Sequence, residues 1–409
     1  MNSPLSEILN DPSLSVEEKA EHIAIFLSTL PDRGASECVR FVLSTEDANA
    51  ATFPANYLAL LPAFGKEKRQ IVEHILNNNK QLMIAIVELV KDMPIDVVDR
   101  LIAEYLGNPD SGDMFSVIFE IANAFPYRLR DFEDRIDNSY VQRAILSGGP
   151  GVWVEELAGE YRRDGDPATL RALARFRTDE ALDALLTLKP SVPDEDQDDL
   201  WMYIESSGVF PDTRRASVYF HAFRGFVVSR EESPHHMGGG YQYRVPRCPV
   251  CRVAATRILT LNSAALDIGL ESGHDPSFFW YTCPHPPEFL HVRFTDQGTE
   301  GLMIPMTNGP QDGDLIPGQL SLLLQEHHNQ YGSGLDATPG FGSHQVGGYP
   351  PWIRHDPFPR CPGCQEGMRF LASIDSGMTP FGRMAFYGII YGFWCDNCAI
   401  SVSQLQEED

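Results

Sequence analysis

Apolar positions Val16, Ala20, Ile23, Leu27 and Leu30 recur near the 3.6-residue period behind a Ser15/Glu18 capping box, which predicts an amphipathic helix. Pro94 opens a second one, with Val98, Leu101, Ile102, Tyr105 and Leu106 on one face and Gly107 at its end. Similar patterns predict helices over 67–76, 81–91, 114–125 and 152–161, joined by short Asn, Gly and Pro loops. The stretches PATLRALARF and TDEALDALLTL follow, and their spacing resembles the paired helices of HEAT-like repeats. We therefore read residues 1–230 as an α-helical, solenoid-like array, with an irregular helical bundle as the alternative, because each short amphipathic pair needs a neighbour to bury its apolar face.

Past that point the period changes. ATRILTL, FFWYT, LHVRF, GLMIPM, MRFLASI and FYGIIYGFW are short branched and aromatic runs divided by Gly/Pro turns, as strands are. One further segment, GQLSLLLQEHHNQY at 318–331, reads as a helix. The expected class is multidomain: an all-α half, a linker over 231–246, and an α+β, mainly antiparallel half over 247–409 that divides into 247–343 and 344–409. Composition shifts at the same place. Of 33 glycines, 22 lie in 231–409, and Lys189 is the last lysine of the chain.

The formal net charge is -25, from 57 acidic and 32 basic residues. Both halves share it, since 231–409 holds 19 acidic against 9 basic side chains. Such a field repels phosphate backbones and anionic membrane surfaces and attracts basic partners, so a nucleic-acid-binding zinc ribbon is disfavoured. The first residues show no secretory pattern, and the apolar stretches are shorter than the ~20 residues of a membrane span; a cytoplasmic protein is expected.

Six of the eight cysteines stand in C-x-x-C pairs. Cys361, Cys364, Cys395 and Cys398 form CPGC and CDNC with 30 residues between the pairs, long enough for a hairpin that returns the second pair beside the first. Two such knuckles complete the four-sulfur tetrahedron that structural zinc prefers, and four thiolates leave no open catalytic position. A second set repeats the pattern: RCPVC at 247–251 echoes RCPGC at 360–364, and WYTCPH echoes FWCDNC after 31 residues. There Cys248, Cys251 and Cys283 lack a fourth thiol. His285 is the expected fourth ligand of a second zinc, with His291 or His274 as substitutes; a decayed site, or knuckles that pair across the two sets, are the competing readings. Cys38, between apolar helical positions, reads as a buried non-ligand cysteine.

The segment HQVGGYPPWI at 344–353, followed by CPGC, MRFLASI and GFWCDNC, resembles the YwqG-like bacterial family and the related programmed cell death protein 2 family, in which a G-G-x-P-x-W segment precedes zinc knuckles. Gly347, Gly348, Pro350 and Trp352 fit that segment. The resemblance is clearest over 344–398, weaker over 247–343, and absent from the helical half. It implies a non-catalytic role, as an escort of a ribosomal protein or as an interaction or toxin-immunity protein. From the residues themselves, the glycines and prolines read as a structural turn beside a buried tryptophan or as a partner-binding lip.

Signatures of enzymes are missing: no G-x-S-x-G, no phosphate loop, no H-E-x-x-H and no G-x-G-x-x-G between strand and helix. GSGLDATPGFG at 332–342 reads as a flexible loop, His235-His236-Met237 as part of the linker, and His327-His328 as solvated helix positions. His344, His355 and Asp356 could form a polar site and carry the enzyme alternative. The expectation is a non-enzymatic zinc protein that captures or neutralises a basic protein, a toxin or a ribosomal protein among the candidates.

Overall fold

A computed structural model describes residues 4–109, 112–207, 220–241, 245–266, 270, 273–283, 285, 287–295, 298–301, 315–332 and 343–407. Its first part is helical. The capping box forms as expected: Ser15 N donates to Glu18 Oε2 at 2.7 Å, Glu18 N donates to Ser15 Oγ at 3.2 Å, and the helix Val16–Ser28 follows. Helices Gly65–Asn78, Ile95–Gly107, Gly112–Ala124, Gly151–Asp164, Pro167–Phe176 and Asp179–Leu188 stand where the periodicity places them. Residues Lys80–Asp92 wind more tightly, as a 3-10 helix. Its Leu82, Ala85, Ile86, Leu89 and Val90 are fully buried between helices Ala48–Ala59 and Gly112–Ala124.

The second part is built from strands β1 (Phe223–Ser229), β2 (His236–Gly238), β3 (Thr256–Thr260), β4 (Ser277–Trp280), β5 (Leu290–Thr295), β6 (Gly298–Gly301), β7 (Gln319–Glu326), β8 (His344–Val346), β9 (Arg369–Asp375), β10 (Met378–Thr379), β11 (Gly382–Arg383), β12 (Ile389–Cys395) and β13 (Ile400–Gln406). Eleven of them form one antiparallel sheet in the order β4-β3-β2-β7-β1-β8-β9-β12-β13-β5-β6. The sheet curls until β4 meets β13, where Phe279 N donates to Ser403 Oγ at 3.2 Å, which makes it nearly a barrel.

Three expectations are corrected here. The segment 318–331 is not a helix: 319–326 is β7, held between β1 and β2. Leu320, Ser321 and Leu322 are all buried, so both faces of the strand are covered and the alternation that marks a half-exposed strand is lost. His327, consequently, is not on a solvated helix. It is 4% exposed, its Nδ1 accepts from Asn329 N at 3.0 Å, and burial drives its pKa down to about 3. The sheet also begins before residue 230, with β1, and β2 occupies part of the segment read as a linker. Of GLMIPM only Gly301 falls on a described strand, and 333–342 of the glycine-rich segment lie outside the described residues.

The two parts are joined by buried polar contacts. Asp92 accepts from Lys68 Nζ at 2.6 Å and from Arg224 Nη1, on β1, at 2.5 Å. Asn329 Nδ2 donates to Asn123 O at 3.2 Å, and Gln325 Nε2 donates to Pro62 O at 3.1 Å.

Candidate metal centres

Each C-x-x-C pair that opens a set sits in a turn closed by its own backbone. Cys361 N donates to Glu366 O and Gln365 N donates to Cys361 O, both at 2.8 Å; Gln365 takes a left-handed φ of 65°. Cys248 N donates to Val253 O and Arg252 N donates to Cys248 O, both at 2.9 Å, with Arg252 at φ 67°. The preceding arginines do the same work twice, Arg360 Nη1 donating to Gln365 O at 3.2 Å and Arg247 Nη1 to Arg252 O at 3.0 Å. A turn of this kind aims amides at the first sulfur. Burial works against ionisation of Cys361, but the amides of Cys364 and Gly363 and the neighbouring thiols hold its pKa below the ordinary thiol value. Cys248 is held low in the same manner by Cys251 and Val250.

The hairpin of β9 and β12, paired from Asp375↔Ile389 to Arg369↔Trp394, returns the second pair of cysteines to the first. The Sγ atoms of Cys361, Cys364, Cys395 and Cys398 all lie within 4.8 Å of one another, and Cys364 Sγ is 3.7 Å from Cys395 Sγ. That is close to the ~3.8 Å edge of a tetrahedron whose corners stand ~2.3 Å from its centre. Burial raises Cys395, and burial with the Cys361 thiol raises Cys398 to about 11, so these two sulfurs stay protonated unless a cation draws off their protons. This group could hold a metal ion.

Cys248, Cys251 and Cys283 form the second group, again with sulfurs within 4.8 Å of one another. The two sets remain separate, so the cross-paired reading does not describe the molecule. His285 is not one of the side chains brought to this group; what it supplies is its backbone amide, which donates to the Cys283 sulfur. Neither substitute joins. His291 is buried on β5 with no hydrogen-bond partner for Nδ1, and the His274 ring faces Phe294 at 6.4 Å. Among the described residues no fourth His, Cys, Asp or Glu completes the set.

Other predicted positions are interior. Gly347, Gly348, Pro350 and Trp352 are buried, which corrects the partner-binding lip in favour of the structural turn. Trp352 lies 4.6 Å from the Tyr391 ring and 5.9 Å from Phe393, beside Cys361 and Cys395. Gly347 has φ 73° and Gly348 φ 64°, and a Cβ on either would overlap a carbonyl oxygen, of His221 or of Tyr331. Cys38 is buried, and burial pushes its thiol up to about 12.

Sequence reading missed how far the duplication extends. His235-His236-Met237-Gly238-Gly239 matches His344-Gln345-Val346-Gly347-Gly348, and all four glycines are left-handed. His235 Nδ1 accepts from Asn262 N at 3.0 Å, and His344 Nδ1 accepts from Asp375 N at 3.2 Å. Asn262 and Asp375 each stand eleven residues after the second cysteine of their turn. Burial lowers both histidines to about 4. Each copy thus runs strand, histidine, glycine pair, C-x-x-C turn and hairpin, and the copies interlock, since β1 pairs with β8 and β7 pairs with β2. The signal was present in the sequence as a repeated H-x-[MV]-G-G.

The molecule is therefore a helical part joined to a duplicated antiparallel sheet that carries two thiol clusters able to hold metal. No protein-family description matches the chain. Over 63 residues it is 33% identical to an uncharacterised protein, YpfL, of Salmonella typhimurium; that stretch is 15% of this chain and 15% of YpfL. Among the described residues no helix is long and apolar enough to cross a membrane.

Proposed function

We propose that this chain is a non-enzymatic, zinc-stabilised protein that captures a basic protein, holding it inactive as an immunity protein does or protecting it as an escort does. The observation that carries the reading is the net charge of -25, shared by the two halves, which favours encounter with a cationic partner and opposes nucleic acid. Zinc is the metal that best suits a compact, closed set of four cysteines in a β-hairpin frame, and at such a site binding energy is folding energy. The helices suit the HEAT-like reading in that successive ones pack on their neighbours, Gly151–Asp164 on Pro167–Phe176 and Pro167–Phe176 on Asp179–Leu188. The resemblance to YwqG-like and programmed cell death protein 2 proteins points to the same class. Of the two histidines of the enzyme alternative, His344 is buried with Nδ1 accepting from Asp375 N, which leaves that alternative to His355, whose Nε2 meets Ser206 Oγ at 2.7 Å.

The test uses tagged full-length chain as bait in lysate from its own source, washed at low and high salt. A basic protein recovered at one-to-one ratio, released by salt, and inhibited or kept soluble in the purified complex supports the proposal. Recovery of no protein together with turnover abolished by His355→Ala would replace it with the enzyme reading.

A further inference from the structure

The two turns differ at one corner. In the four-cysteine cluster a Cβ on Gly363 would come within 2.9 Å of Cys398 Sγ, so glycine there makes room for the fourth sulfur. In the sequence of the other copy both partners of that contact differ: Val250 corresponds to Gly363, and Pro286, three residues after Cys283, corresponds to Cys398. Proline offers neither a sulfur nor an amide proton. The turn's outer face differs too, because Val250 is 56% and Val253 39% exposed where the four-cysteine cluster has Gly363 and Glu366. Cys251 is exposed beside them, whereas Cys248 and Cys283 are buried.

Among the described residues three sulfurs thus stand where the other copy gathers four, and the exposed corner, Cys251, lies beside two exposed valines. The geometry points to a metal centre whose fourth position is filled by a thiol from outside the chain, carried on a small molecule or on a cysteine of another polypeptide. The frame already places four sulfurs round one ion in its other copy, and three-ligand sites are the ones that keep an exchangeable position. Soft sulfur suits a centre already held by three thiolates, and an apolar rim suits the methylene that carries a thiol better than it suits water or a carboxylate. On binding, the thiol proton passes to solvent and the new metal–sulfur bond replaces a metal–water bond. No redox step is involved. The inference rests on the reading of this cluster as a metal site.

Cobalt(II) titration of the metal-depleted full chain tests it. Two cobalt ions are expected, and sulfur-to-cobalt absorption should rise by about one bond in seven when glutathione or a short apolar cysteine peptide is added. A response to both ligands assigns the position to any free thiol, and a response to the peptide alone assigns it to a polypeptide. Val250→Gly combined with Pro286→Cys should restore the fourth ligand and abolish the response, and Cys283→Ser should remove the second cobalt and the response together. Uptake of one cobalt would mean that the three-cysteine cluster is not a metal site. Uptake of two without a thiol response, or a response that survives in either variant, would overturn the open position alone.

Discussion

Residues 344–406 and 235–295 run through the same frame and end differently. Both place a buried histidine, two left-handed glycines, an arginine-braced C-x-x-C turn and a hairpin in the same order. Only one closes with four sulfurs. The difference teaches that the backbone of the turn does not depend on a complete ligand set: Cys248 and Cys361 receive the same amides although their clusters hold three and four thiols. What the fourth ligand changes is how much folding energy a bound metal can return.

The largest effect should separate the copies. Cys395→Ser is expected to remove one metal equivalent and lower stability by on the order of 5 kcal/mol, while Cys251→Ser, at the exposed corner of the smaller cluster, should cost about 1 kcal/mol. Thermal unfolding of both variants checks this; equal losses would erase the distinction.

Next in size is the seam between helices and sheet. Arg224→Met leaves the buried Asp92 to its ion pair with Lys68, at a cost of about 3 kcal/mol. Because Arg224 lies on β1, outside both metal frames, calorimetry should show a weaker helix–sheet coupling with unchanged metal content.

A smaller effect tests the matched histidines. His235 and His344 have pKa values near 4 when folded, below the ordinary value near 6.5, so the unfolded chain binds more protons between those limits. Their stabilisation is present above about pH 6.5 and is lost as pH falls toward 4. His235→Asn and His344→Asn should each destabilise at pH 7.5 by about 1–2 kcal/mol and flatten the acid limb of a denaturation series. A flat limb in one variant and not in the other would break the equivalence of the copies.

Much of this frame was legible in the sequence, and the reasons are local. The Ser15/Glu18 box and the apolar stripe after Pro94 read directly because capping and helical period act within a few residues. The four-cysteine cluster was legible because spacing fixes what a hairpin can return. Strand β7 was not, since burial on both faces makes LSLLL look like any apolar run. Strands β2 and β8 were hidden by their length, three residues each, and by long-range pairing with strands of the opposite copy. The reading of His285 rested on spacing alone, and that residue stands two residues after Cys283 where Cys398 stands three after Cys395.

The most direct test of the central claim, that a duplicated cysteine frame holds metal within the sheet, is native mass spectrometry of the full chain purified without added metal and then exposed to a mild chelator. Two zinc ions are expected at the outset, with early loss of the one assigned to Cys248, Cys251 and Cys283 and retention of the other until the sheet unfolds. A folded, monodisperse chain carrying no metal would contradict it.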